Sequence, residues 1–188
     1  MRAVVIVVVM MVLSACRSSV HSDAYEAMSP NIDVYTFFNG QVNAWGIVQN
    51  RSGQLVQRFK VEIKGAIQQN NELVLDETFT YGYGDGVKHR VWRITSQGDG
   101  FRGNAGDIAT EATGHVYGNA LRWQYEMDLP VDDTTYRVSF DDWMWAFDKC
   151  TLMNRSYIKK FGLVVAEVTI FMQSSEAALG CTGGLYPQ

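Results

Sequence analysis

The chain has 188 residues and a formal net charge of −4, from 16 Lys and Arg against 20 Asp and Glu. Charged residues make up 19% and apolar residues 47%, which excludes a disordered chain and supplies a core for one domain. The acidic balance excludes bulk nucleic-acid binding, which needs a basic face. Aromatic residues, at 12%, suit strands and a cavity wall more than a helical bundle.

The first element is an address. Arg2 precedes Ala3 to Leu13, an unbroken apolar run of 11 residues. A membrane-spanning helix needs about 20, so the run has the size of a signal-peptide core instead. It ends in Leu13-Ser14-Ala15-Cys16, which resembles the lipobox of bacterial lipoproteins. That resemblance implies cleavage after residue 15 and a diacylglycerol thioether on Cys16, the good nucleophile of the segment. Arg17 stands where an Asp would imply retention in the inner membrane. The resemblance therefore implies the periplasmic face of the outer membrane, with the membrane as a partner through the Cys16 lipid. Residues 16–33 read as the lipidated Cys and a flexible tether.

With Cys16 assigned, Cys150 and Cys181 remain. In an oxidising compartment they pair as a disulfide or stay as two thiols. No Cys-x-x-Cys or Cys/His cluster points to a metal, and no cofactor motif is present.

From residue 34 to 173 the chain reads with period two. Phe59, Val61 and Ile63 alternate with charged residues, as do Leu121, Trp123, Tyr125, Met127 and Leu129. Turn signals recur at Arg51-Ser52-Gly53, Gln69-Asn70-Asn71, Asp85-Gly86, Gly98-Asp99-Gly100, Gly118-Asn119 and Pro130-Val131-Asp132-Asp133. The expectation is an all-β, antiparallel, up-and-down barrel of 8–10 strands, lipocalin-like in architecture. Ala44-Trp45-Gly46 departs from the Gly-x-Trp order of true lipocalins. Residues 174–188 are left as a C-terminal tail, with one helical turn expected in Ser174–Ala178.

Several motifs resemble a family of bacterial lipoproteins known as domain of unknown function 3833. They are Phe38-Asn39-Gly40-Gln41-Val42 with Ala44-Trp45-Gly46, Arg90-Val91-Trp92-Arg93-Ile94, and Gly118-Asn119 leading to Trp123 and Tyr125. The most specific stretch is Phe140-Asp141-Asp142-Trp143-Met144, followed by Asn154-Arg155, Lys160-Phe161-Gly162 and Glu167-Val168-Thr169. The resemblance runs from about Tyr35 to Met172. It implies a link to membrane-lipid metabolism, through genes for cyclopropane-fatty-acid-synthase-like enzymes that often neighbour similar families.

Polar residues on apolar faces are the candidates for a site. Glu77 shares a strand face with Leu73, Leu75, Phe79 and Tyr81, and Arg90 shares one with Trp92 and Ile94. A Glu77–Arg90 pair inside the barrel is expected, as a structural ion pair or as an anchor for a polar-tipped lipid. Asp141 and Asp142 are adjacent on a strand, so only one faces inward. Arg155 is a candidate partner for one of them. Trp92, Trp123, Tyr125 and Trp143 complete the expected ligand set.

No Gly-x-Ser-x-Gly, His-Glu-x-x-His or phosphate loop occurs, so a non-enzyme is expected. The leading reading is a lipoprotein that binds or shuttles a fatty acyl chain or phospholipid. The alternatives are an envelope or assembly protein with a filled barrel, and an acyl-modifying enzyme using Glu77, Arg90 and Asp141 or Asp142.

Overall fold

The computed structural model describes residues 20–84, 86–131 and 133–175. The signal peptide, Cys16, Cys181 and the turn expected over Ser174–Ala178 lie outside the described residues or run beyond them. Cys150 is disulfide-bonded.

Ten antiparallel strands form the barrel: β1 (Gly40–Asn50), β2 (Leu55–Ile67), β3 (Leu73–Tyr81), β4 (His89–Gln97), β5 (Gly100–Ala105), β6 (Ala112–Tyr117), β7 (Ala120–Val131), β8 (Thr134–Ala146), β9 (Thr151–Lys160) and β10 (Leu163–Ser174). Each strand pairs with the next, and β10 closes on β1 over Val42–Asn50. Closure removes both sheet edges, so strands of up to 13 residues present no unpaired edge. The all-β, up-and-down barrel read from the alternation is the observed fold.

The period-two pattern becomes an inside and an outside. Val42, Ala44, Val61, Ile63, Leu75, Trp92, Trp123 and Met127 are buried in the core, while Lys60, Glu62 and Asp76 point to solvent. Trp123 needs room, and Gly114 on the neighbouring strand provides it. A Cβ at Gly114 would lie 2.4 Å from the indole ring.

One end of the barrel is closed by a short helix, α1 (Val34–Phe38). Asp33 caps it, accepting from Thr36 N at 3.0 Å and from the Thr36 hydroxyl at 2.6 Å. Val34, Phe37 and Phe38 are buried under it. Tyr35 Oη donates to the carbonyl of Asn71 at 3.0 Å and accepts from Ser96 N at 3.1 Å, pinning the helix to the β2–β3 turn and to the end of β4. Gly65 of β2 is required there, because a Cβ would fall 1.6 Å from the Phe38 carbonyl oxygen.

Residues 20–33, expected as tether, lie against the barrel from Tyr25 onward. Tyr25 packs on Trp143 and Trp145 with ring centroids 5.8 and 6.1 Å apart. Ile32 is buried and its N–H donates to the Gly118 carbonyl at 3.0 Å. The exposed rings of the β8 outer face attract this segment, because leaving Trp143 uncovered would expose a large apolar surface.

Candidate functional site

The inward faces do not fill the barrel. A cavity of about 380 Å³ runs from Val34 and Phe38 of α1 to Tyr81, Gly86 and Val87 at the opposite end. Gly86 and Val87 are exposed, so the cavity meets solvent there. Its walls are mostly apolar and aromatic. Trp92 meets Trp123 and Tyr125 edge-on at 5.7 and 5.4 Å, and Tyr125 stacks on Phe140 at 4.8 Å.

A belt of polar groups crosses this wall at mid-height. Glu77 lies at the centre of β3, directly opposite Arg90 of β4. Tyr125 follows on β7, Asp142 on β8 and Ser156 on β9, with Asp142 and Ser156 paired in register. All five line the cavity.

The belt is electrostatically unusual. Arg90 does not hydrogen-bond Glu77. Its Nε and Nη2 donate to Asp107, in the β5–β6 loop, at 2.9 and 2.7 Å. This corrects the expected Glu77–Arg90 ion pair. The loop carboxylate reaches both guanidinium nitrogens on one side, a bidentate geometry that Glu77 does not match. The Arg90 guanidinium also lies over the Phe79 ring at 5.6 Å. Glu77 is left with no hydrogen-bond partner among the described residues. Burial pushes its carboxyl up to about 7, against the opposing pull of the Arg90 charge.

Asp142 accepts a hydrogen bond from the Ser156 hydroxyl. Burial nonetheless raises its carboxyl to about 7, and the neighbouring Asp141 charge adds to the rise. The Tyr125 phenol is raised too, by burial and then by the Asp142 charge. It has no hydrogen-bond partner among the described residues.

Six expected site residues therefore converge on the cavity: Glu77, Arg90, Trp92, Trp123, Tyr125 and Asp142. Three do not, and strand alternation is the reason. Asp141 points outward, where Arg122 Nε at 2.7 Å and Lys159 Nζ at 2.5 Å hold it. Burial raises its carboxyl, but these hydrogen bonds outweigh it and leave it below the usual range. Trp143 is 1% exposed, yet it is buried on the outer face, beneath Tyr25 and stacked with Tyr117 at 6.1 Å. Arg155 also faces outward and pairs with Glu167 rather than with either Asp.

Sequence reasoning missed Asp107 and Ser156. Ser156 was legible as the inward neighbour of the outward Arg155. Asp107 carries no pattern, since it belongs to an irregular loop and reaches Arg90 only through the fold.

Two solved structures share the architecture. A protein of unknown function from the DUF3598 family of Nostoc punctiforme matches at 10% identity with a TM-score of 0.58, over 77% of this chain and 50% of that one. The chain thus spans half the length of the Nostoc protein. The S-type phycobiliprotein lyase of Guillardia theta matches at 10% identity with a TM-score of 0.54, over 77% of this chain and 94% of the lyase. At this identity the likeness is one of fold. No curated protein matches the sequence. The model of the DUF3833 family, described as proteins of unknown function, matches residues 10–174, and with its motifs spread from the closing helix to the last strand the chain belongs to that family.

Proposed function

We propose that the protein is a carrier that holds one acyl chain inside the barrel, as a lipoprotein anchored through Cys16 at the periplasmic face of the outer membrane. The observation that carries the reading is the cavity itself. A side-chain-filled barrel would leave no continuous space of about 380 Å³ between α1 and the opposite end. The volume lies near the lower end of small-molecule sites, roughly 300–1,000 Å³, which favours a single chain over a two-chain phospholipid. An apolar wall with a few convergent polar groups is the usual make-up of such a site.

An acyl-modifying enzyme is the second reading. In its favour, Glu77 and Asp142 share one cavity and both titrate near neutrality.

The test uses residues 17–188, exported behind a cleavable non-lipoprotein signal, purified without detergent and extracted with organic solvent. Mass spectrometry of the extract is expected to give one acyl species at near-stoichiometric amount. A clean extract from protein that also fails to take up added lipids would overturn the carrier reading. Release of a chemically altered lipid after incubation would favour the enzyme.

A further inference from the structure

The polar belt constrains the chemistry of the ligand, and the argument rests on the carrier reading. Glu77 and the Tyr125 hydroxyl face the cavity with no hydrogen-bond partner among the described residues, so their hydrogen-bonding capacity points into the space a ligand would fill. The belt lies at mid-height. Below it the wall continues with Leu75, Ile94 and Phe38, and above it with Phe59, Phe79 and Leu129. A ligand that satisfies the belt carries its polar group in its middle, with further substituent on both sides. A fatty acid ends at its carboxylate and has nothing to place in the other half.

Charge points the same way. The charges acting on Glu77 are Arg90 from β4, Asp107 from the β5–β6 loop and Asp76 beside it on β3; Tyr81 and Tyr125 interact with it electrostatically, Asp142 of β8 lines the same cavity, and β2 contributes the apolar Ile63. Arg90 is the sole cation of the set, and Asp107 already holds it on two nitrogens. An incoming carboxylate would add a negative charge where Arg90, the one cation among the described lining residues, is already offset by Asp107, in an apolar surround that strengthens the repulsion. The oxygens of a neutral ester instead accept from the acid forms of Glu77 and Asp142 and from the Tyr125 phenol, all of which are donors.

We infer that the ligand is an uncharged acyl ester, whose two ester oxygens accept hydrogen bonds from the belt formed by Glu77, Asp142 and Tyr125, and that the free acyl carboxylate is rejected.

The experiment compares sodium palmitate, methyl palmitate, 1-palmitoylglycerol and hexadecyltrimethylammonium. Each displaces a fluorescent apolar probe from residues 17–188, which carry every described element of the closed barrel. At pH 7.5 both esters are expected to bind at least tenfold more tightly than palmitate. The two esters separate a simple ester from a glycerolipid source of the same carbonyl. For carboxyls titrating near 7, the acid form of each is about thirtyfold depleted at pH 8.5, so ester affinity is expected to fall roughly thirtyfold or more from pH 6 to 8.5. The Glu77→Gln/Asp142→Asn double variant keeps amide donors at every pH and is expected to lose less than threefold.

Palmitate binding as tightly as the esters would overturn the inference and leave the carrier reading standing. Tightest binding of the ammonium probe, or a pH dependence that survives in the double variant, would also overturn it. Failure of all four probes to bind would bring down the carrier reading and the inference together. The comparison of acid with ester uses the unaltered sequence, so it stands even if the double variant does not fold.

Discussion

Glu77 and Arg90 face each other across the β3–β4 pair, yet the Arg90 guanidinium turns to Asp107 at 2.7 and 2.9 Å and leaves the Glu77 carboxyl unpaired. The barrel thus keeps an unpaired acid facing its cavity. A structural ion pair would have used the neighbour already in register. The unpaired acid marks the place where the cavity wall was not optimised for stability alone.

Asp107 is the residue that stabilises Arg90. Replacing it with Ala strands a buried guanidinium, and the expected cost is about 3 kcal/mol, the lower end of the range for breaking a buried pair because Asp107 retains some exposure. Replacing both partners with Leu is expected to cost less than the single change. Urea unfolding of the three variants measures this. Equal stability of Asp107→Ala and the unaltered protein would show that Arg90 finds another partner.

Stability is expected to fall as pH rises from about 4 to 7. Glu77 and Asp142 have ordinary values of 4.5 and 3.8 in the unfolded chain and about 7 in the folded one. Between those values the folded chain retains protons that the unfolded chain has released, so each step up in pH favours unfolding. The loss is on the order of 3–4 kcal/mol per group and is complete above pH 7. Asp141 works in the opposite sense, but its contribution is lost only as pH falls below its unfolded value, outside this window. Glu77→Gln and Asp142→Asn are each expected to flatten the profile and to be more stable than the unaltered chain at pH 8. Chemical denaturation at pH 5 and pH 8 reads both effects, and a profile that rises across this window would contradict them.

The barrel and half of its site were legible because a β-strand writes its two faces into alternate residues. Glu77 and Arg90 stood out as polar residues in apolar rows, and both line the cavity. The same rule shows why Asp141, Trp143 and Arg155 lie outside. Asp142 is inward and lines the cavity, so its neighbours 141 and 143 are outward by alternation. Aromatic character made Trp143 look internal. What buries it is Tyr25, more than a hundred residues earlier, and no local pattern announces that contact. The α1 plug was equally hidden, since five residues are too few to show a helical period.

The outer cluster and the cavity are expected to respond independently. Trp143→Ala removes a fully buried ring from beneath Tyr25 and Arg122, at an expected cost of about 3–5 kcal/mol. Arg155→Ala breaks an exposed pair with Glu167 and is expected to cost under about 1 kcal/mol. Neither is expected to change ligand affinity more than threefold in protein that remains folded. Denaturation and probe displacement on the same preparations measure this, and a large affinity loss in Arg155→Ala would place the ligand on the outside of the barrel.

Gly65 controls the closed end. Its missing Cβ makes room for the Phe38 carbonyl, and an added methyl would lie 1.6 Å from that oxygen. Neither party yields cheaply. The oxygen belongs to the backbone of α1, and Gly65 is fixed by its register with Gly40 and Leu75. Gly65→Ala is therefore expected to push α1 off the barrel, at about 3 kcal/mol, the upper part of the range for overpacking. The ligand consequence follows from position. Phe38 and Val34 form the floor, so displacing α1 deepens or opens the cavity without touching Glu77, Tyr125 or Asp142. Longer acyl esters are then expected to gain affinity relative to shorter ones, and the preference for ester over carboxylate is expected to persist. Displacement assays with a chain-length series on Gly65→Ala separate the two halves of the site. An unchanged length profile together with unchanged stability would show that α1 does not form the floor.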